Sequence, residues 1–182
     1  GINDYITTTG VHADILDFTK SWSLGVELKN VSSVSDGSYL TLFKRGNNEI
    51  TLRRGGSNWG IYVYCNGSAI AQANTWFKPE NSKILISCDG SKVKYHANGL
   101  QKADMSINAN ISQNDPIGDL EIGKSGNIGA YWYGGLNNFG AFLINVTTST
   151  DAINEYFATE DLTQLSYYSD VNDFITLGEG TY

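Results

Sequence analysis

An all-β fold of two antiparallel sheets packed face to face, with one short helix near the C-terminus, is what this sequence predicts. Three features carry the prediction. Short apolar runs alternate with polar residues, Gly, Asn and Asp punctuate those runs, and 20 Gly, 11 Tyr and 7 Phe stand beside only 2 Pro and 1 Met in 182 residues. Aromatic and β-branched residues suit a pleated, half-buried surface, while Gly, Asn and Asp suit tight turns. Such a composition fits a sandwich rather than a helical bundle.

The elements follow in order. Over residues 21–28, Trp22, Leu24, Val26 and Leu28 alternate with Ser23, Gly25 and Glu27, the period of two that marks a half-buried strand. Residues 39–45 and 49–54 form a hairpin across Gly46, Asn47 and Asn48, with Ile50 and Leu52 turned in and Thr51 and Arg53 turned out. A loop of Gly55, Gly56, Ser57 and Asn58 leads to a strand over 59–65, in which Ile61 and Val63 oppose Tyr62 and Tyr64. Residues 82–88 and 92–98 are joined by Asp89-Gly90, a strong hairpin signal. In the second arm Val93, Tyr95 and Ala97 share one face, Lys94 and His96 the other.

A polar stretch over 108–116 precedes a short strand at 119–123, a Gly-rich aromatic loop over 125–135 and a long strand over 139–146. Residues 148–150 offer N-cap chemistry ahead of Ile153, Tyr156 and Phe157, spaced for one short amphipathic helix. Residues 1–160 are expected to form the sandwich, and 161–182 a final strand and a link to a further segment.

The 12 Lys and Arg against 19 Asp and Glu give a formal net charge of −7. An acidic surface repels phosphate backbones and gains nothing from counterion release, so neither nucleic acid nor an anionic membrane is an expected partner. No apolar run reaches the roughly 18 residues of a membrane helix. Cys65 and Cys88 lack the spacing of a zinc ribbon and cannot by themselves define a disulfide framework. Buried free thiols are expected ahead of a disulfide.

Three stretches carry a family resemblance. Residues 82–99 read as a strand, an Asp-Gly turn and a strand ending in Tyr95-x-x-Asn98-Gly99; Leu120-Glu121-Ile122-Gly123 is a short Leu-x-Ile-Gly strand; and Trp132-x-Gly134-x-Leu136-x-x-Phe139-x-x-Phe142 is a late aromatic strand ahead of a helix. Together with the opening Trp22 strand, this pattern resembles the laminin-G-like branch of the concanavalin A-like lectin and glucanase superfamily. The resemblance spans residues 17–159 and implies a jelly roll of two stacked sheets. It also implies a place among lectins, pentraxins, laminin and neurexin modules, glucanases, lyases and phage tail or virion domains, which is a fold-level statement only. The chain departs from the family in having Asn81 and Ser82 where a His-His pair is usual, and it has no clear calcium loop. No cofactor is therefore expected, and Asp36, Asp89 and Asp151 each fall in turns, where Asp ordinarily serves hydrogen bonding.

Catalysis has little to work with. The glucanase run Glu-x-Asp-x-x-Glu is absent. Asp119 and Glu121 would project from one side of a strand roughly 6.6 to 6.8 Å apart, within the range of a glycosidase pair, yet they flank Leu120 and Ile122 and read as a solvated strand face. His12 and His96 are the only histidines, with no nucleophile motif beside them. The expectation is a protein that is not an enzyme.

Sugars are held by aromatic faces together with Asn, Asp and backbone groups. Two regions supply that mixture: Asn127 with Tyr131, Trp132 and Tyr133 in the Gly-rich loop, and Asn58 with Trp59 beside Arg53 and Arg54. Trp132 falls on a position the family usually packs inside, which would turn Tyr131 and Tyr133 outward. Trp59 reads equally as a core anchor or a platform. Arg53, Tyr62, Tyr64, Lys94 and His96 all lie on faces opposite the core, as one binding patch or as a solvated face.

The sequence thus leads to a lectin-like module that engages a cell-surface glycan without cleaving it, in host attachment, on a virion, phage tail or other extracellular surface. The alternatives are a structural domain packing against other subunits of an assembly and, behind it, a polysaccharide-degrading enzyme.

Overall fold

The computed structural model describes residues 5–8, 12–29, 35–56, 58–75, 82–110, 116–124 and 135–168, with backbone alone for 75 and 135–138. They form two sheets. The first has six strands in the order β1 (Ile6–Thr8), β10 (Leu120–Ile122), β3 (Tyr39–Arg45), β4 (Asn48–Gly55), β5 (Asn58–Cys65) and β6 (Ser68–Thr75). The second has five, in the order β11 (Gly135–Phe142), β2 (Ser21–Lys29), β7 (Ser82–Asp89), β8 (Lys92–Ala97) and β9 (Leu100–Ser106). Every pairing is antiparallel.

Alternation builds the interior. Trp22, Leu24, Val26 and Leu28 from β2, Ile84, Ile86 and Cys88 from β7, and Val93 and Tyr95 from β8 meet Leu40, Ile50, Leu52, Ile61, Val63 and Cys65 from the opposite sheet, all of them fully buried. Phe43 and Phe139 touch across the two sheets with ring centroids 5.7 Å apart. Cys65 and Cys88 are both free and buried in this interior. Burial pushes the Cys88 thiol up to about 12, so it is a small core hydrophobe rather than a reactive group.

The turns use the residues the sequence marks. Gly46 and Gly90 adopt φ of 56° and 85°, the left-handed region that Cβ-bearing residues avoid. The Asp89 carboxylate accepts hydrogen bonds from the Ser91 and Lys92 amides and the Ser91 hydroxyl at 2.7–2.8 Å, while Asp36 accepts one from the Gly56 amide at 2.5 Å. Both carboxylates therefore act in turns.

The sequence-predicted strands at 21–28, 39–45, 49–54, 59–65, 82–88, 92–98 and 119–123 are present within one or two residues. Three strands were not anticipated: β1, β6 and β9. The late strand lies earlier than expected, at Gly135–Phe142, and 146–148 form a 3₁₀ turn whose N-cap, Asn145, accepts from the Thr147 amide. Residues 162–164, at the start of the segment expected to hold a final strand and a link, are likewise a 3₁₀ turn capped by Asp161; residues 169–182 of that segment lie outside the described residues. Here Leu162 and Leu165 turn inward to a second cluster instead of joining a sheet edge. Among the described residues no helix is long and apolar enough to cross a membrane.

That second cluster seals the outer face of the five-stranded sheet. Helix α1 (Thr150–Ala158), whose Ser149 N-cap accepts from the Ala152 amide at 3.3 Å, lays Tyr156 beside Leu85, Phe142 and Val146. The Tyr156 hydroxyl donates to the Ile84 carbonyl at 2.8 Å, and the ring occupies the space left by Gly25. A Cβ there would lie 2.3 Å from the Tyr156 oxygen. Lys83 holds the helix C-terminus, donating from Nζ to the carbonyls of Tyr156 and Thr159, where the helix dipole favours a cation.

Gly25→Ala is expected to destabilise the fold by about 1–3 kcal/mol through overpacking, and Tyr156→Ala by about 3–5 kcal/mol through a cavity. Urea denaturation of the double variant should give less than the sum, since the ring that the methyl strikes is gone.

Candidate functional site

The outer face of the six-stranded sheet is built differently. Register places Tyr39, Arg53, Gly60 and Asn74 in one row across β3, β4, β5 and β6, and Thr41, Thr51, Tyr62 and Gln72 in the next. Gly60 contributes no side chain to the first row. Arg53 and Asn74 therefore stand on either side of a gap two interstrand spacings wide, about 10 Å between backbones. A Cβ at Gly60 would sit 2.9 Å from Tyr62 Cε2, 3.0 Å from the Ala73 carbonyl oxygen and 3.1 Å from Asn74 Oδ1. The cradle exists because that atom is missing.

The result is an open-sided pocket of about 290 Å³, lined by Arg53, Asn58, Trp59, Tyr62 and Asn74, with Gly55 and Gly60 leaving room at the floor and rim. The β4–β5 turn borders it, held by Arg54, whose Nε donates to the Gly56 carbonyl at 3.1 Å, and by Asp36 on the Gly56 amide.

Three tyrosines support Arg53 from one side. The guanidinium carbon lies 5.1 Å from the Tyr39 ring centroid; Tyr39 meets Tyr62 edge-on at 5.4 Å, and Tyr62 stacks on Tyr64 at 6.4 Å and 15°. A hydrogen bond with Tyr62, then electrostatic attraction to Tyr39 and Tyr62, raises the Arg53 pKa above its ordinary value, and the Tyr39 ring adds a cation–π contact. Tyr62 passes the chain on, donating to Asn74 Oδ1 at 3.4 Å. Burial raises the Tyr64 phenol, with Tyr39 and Tyr62 adding to it, so it stays protonated. The Nε of Arg53 is buried without a hydrogen-bond partner among the described residues.

This face is not a solvated one. Thr41, Thr51 and Glu49 are fully buried although they point away from the interior, and Tyr62 and Tyr64 are 8% and 7% exposed.

Of the residues singled out in the sequence, Arg53, Asn58, Trp59 and Tyr62 come together at this pocket, while Tyr64 stands behind it. Trp59 is both things at once, a member of the core cluster and a pocket wall. His96 and Lys94 do not join them. They sit on β8 in the other sheet, on its outer face, and His96 is 3% exposed, with a buried Nδ1 that has no partner among the described residues. The single patch anticipated from alternation is thus two separate surfaces, because alternation orients a side chain without assigning its strand to a sheet. Asn127, Tyr131, Trp132 and Tyr133 lie outside the described residues.

Gly60, Asn74 and Tyr39 were missed. An interior strand Gly is itself a signal of close approach by another group. Asn74 was hidden with its strand, because β6 turns Ala71 and Ala73 inward and alanine gives a weak strand signal.

Among the described residues that line the pocket there is no carboxylate. Glu121, one member of the spaced pair, is ion-paired with Lys124 and lies 3.7 Å from Lys44, and Asp119 precedes the strand at the surface. Among the described residues no cluster of three or more His, Cys, Asp or Glu is arranged to hold a metal.

No family model matches the sequence, and no curated protein matches it. Solved structures do share the fold. The chain is similar to the enzymatically active domain of tailspike protein 2 from bacteriophage CBA120, with a TM-score of 0.59 and 11% identity over 93% of this chain and 27% of that one. It is also similar to the binding domains of botulinum neurotoxin serotype D (TM-score 0.61, 14% identity, 87% of this chain and 41% of that) and serotype G (0.60, 9%, 87% and 45%). The chain spans less than half the length of each. At such identities the likeness is one of fold: a two-sheet antiparallel β-sandwich.

His96 gives the structure a pH dependence. Burial, then Lys94, lowers its pKa in the fold, so the unfolded chain takes up a proton first as pH falls through about 6.5. Stability should be complete above that value and decline below it, toward the folded pKa. Urea midpoints compared at about pH 7.5 and 5.5 should show a smaller drop in His96→Gln than in wild type.

Proposed function

We propose that this domain is a non-catalytic, lectin-like binding module of the concanavalin A-like kind, that it recognises a glycan on a cell surface, and that the pocket between β4, β5 and β6 is its ligand site. The observation that carries the reading is the pocket itself. It combines aromatic walls, Trp59 and Tyr62, with amide and guanidinium groups at Asn58, Asn74 and Arg53, the mixture that grips the apolar face and the hydroxyls of a sugar. Its volume lies at the lower end of the ~300–1,000 Å³ typical of small-ligand sites, the size of one sugar ring rather than a long segment.

A binding role without cleavage is the reading that fits walls which, among the described residues, carry no carboxylate pair, and the engagement of Glu121 with lysines. Attachment at an extracellular or virion surface is supported by the company of the fold, which occurs in a phage tailspike and in toxin binding domains. A single shallow site binds weakly, so useful avidity would come from several copies presented together.

Multivalently displayed wild type should bind a subset of a broad glycan array. Tyr62→Ala and Asn74→Ala should each weaken that binding by about tenfold or more, the equivalent of one lost polar or stacking contact. Unchanged binding by both folded variants would remove the pocket as the site.

A further inference from the structure

The charge in the pocket is unbalanced. Arg53 has neighbours that hold its charge, Tyr39, Tyr62 and Tyr64, but no carboxylate among the described residues pairs with it or contributes to its pKa. Elsewhere in the same sheet cations are answered: Lys44 and Lys124 by Glu121, and Arg45 by the carbonyls of His12, Ala13, Ile15 and Gly118. Arg53 itself lines the pocket, and its buried Nε has no hydrogen-bond partner among the described residues.

From this we infer that the pocket takes an acidic sugar residue, a single ring bearing a carboxylate that accepts from Arg53, with Asn58 and Asn74 facing its hydroxyls. The inference rests on the glycan-binding reading above and names the sugar class. A planar carboxylate accepts two parallel hydrogen bonds from the fork of a guanidinium, which a neutral hydroxyl does not. The tyrosine cluster fixes that fork beforehand, so little side-chain freedom is lost on binding. The size of the cradle and the overall charge of −7 further select how the acid is presented. A polyanion would be repelled along most of its length, whereas one terminal acidic residue on an otherwise neutral chain meets the local cation alone.

The test uses the whole chain, displayed multivalently, on an array holding glycans terminated in glucuronic acid or sialic acid, the same glycans with the carboxyl reduced to the alcohol, sulfated counterparts and neutral glycans. The expected result is binding to carboxylate-terminated glycans, at least about tenfold weaker to their reduced forms, as for loss of a charge-assisted hydrogen bond. Arg53→Gln should erase that preference, and Arg53→Lys should keep part of it. Thermal melts establish that each variant folds, and Gly60→Ala, which fills the cradle, gives a second route to the same loss. Equal binding to acidic and reduced forms, or a preference for sulfated ones, would overturn the acidic-sugar inference while leaving the glycan reading in place. Absence of binding to every glycan would overturn both.

Discussion

Every strand of the two sheets turns alternate side chains toward the opposite sheet, and the remainder of the molecule depends on that shared interior. Aliphatic residues of β2, β7 and β8 close against those of β3, β4 and β5, and the Phe43–Phe139 contact bridges the layers. Burial of this kind is the main favourable term in folding. Once one face of each sheet is committed to it, only the two outer faces remain to be given separate tasks, and the chain treats them in opposite ways.

On the five-stranded sheet the outer face is used for more packing. Gly25 makes room for Tyr156, the helix settles on Leu85, and the cluster extends through Phe142, Leu162 and Leu165. His96 lies on this same outer face and is buried. On the six-stranded sheet, Gly60 lets Tyr62 and Asn74 close in, and the gap beside them is walled by polar and aromatic groups. Two strand glycines thus have opposite consequences: one is filled by a side chain of the protein, the other leaves a cradle.

The edges of the sandwich are held by polar groups placed with equal economy. Arg45, nearly buried, donates to four backbone carbonyls, and Asn48 donates to the Leu16 carbonyl at 2.9 Å. A buried cation is tolerated where hydrogen bonds replace its hydration, and here they fasten residues 12–16, including Leu16 at a φ of 63°, to the β3–β4 hairpin. Burial still lowers the Arg45 pKa. Arg53, at the far end of the same hairpin, has the reverse arrangement, with its charge favoured by aromatic neighbours and its Nε without a partner among the described residues.

Much of this was legible in the residues alone. The alternation in 21–28, 49–54, 59–65 and 92–98 determined which side chains face the core, because a strand's side-chain period is a fixed geometric property. Asp89-Gly90 and Gly46 determined two turns, since few other residues accept those backbone angles. Arg53, Asn58, Trp59 and Tyr62 could be picked out by their chemistry. Alternation could not say that Arg53 and His96 belong to different sheets, nor that Asn74 stands across a gap from Arg53, because strand order and register are settled by pairing between segments far apart in the chain. Only the tertiary structure brought Tyr39, Gly60 and Asn74 into one row with Arg53, and it is that row, through the side chain Gly60 lacks, that turns a sheet face into a pocket.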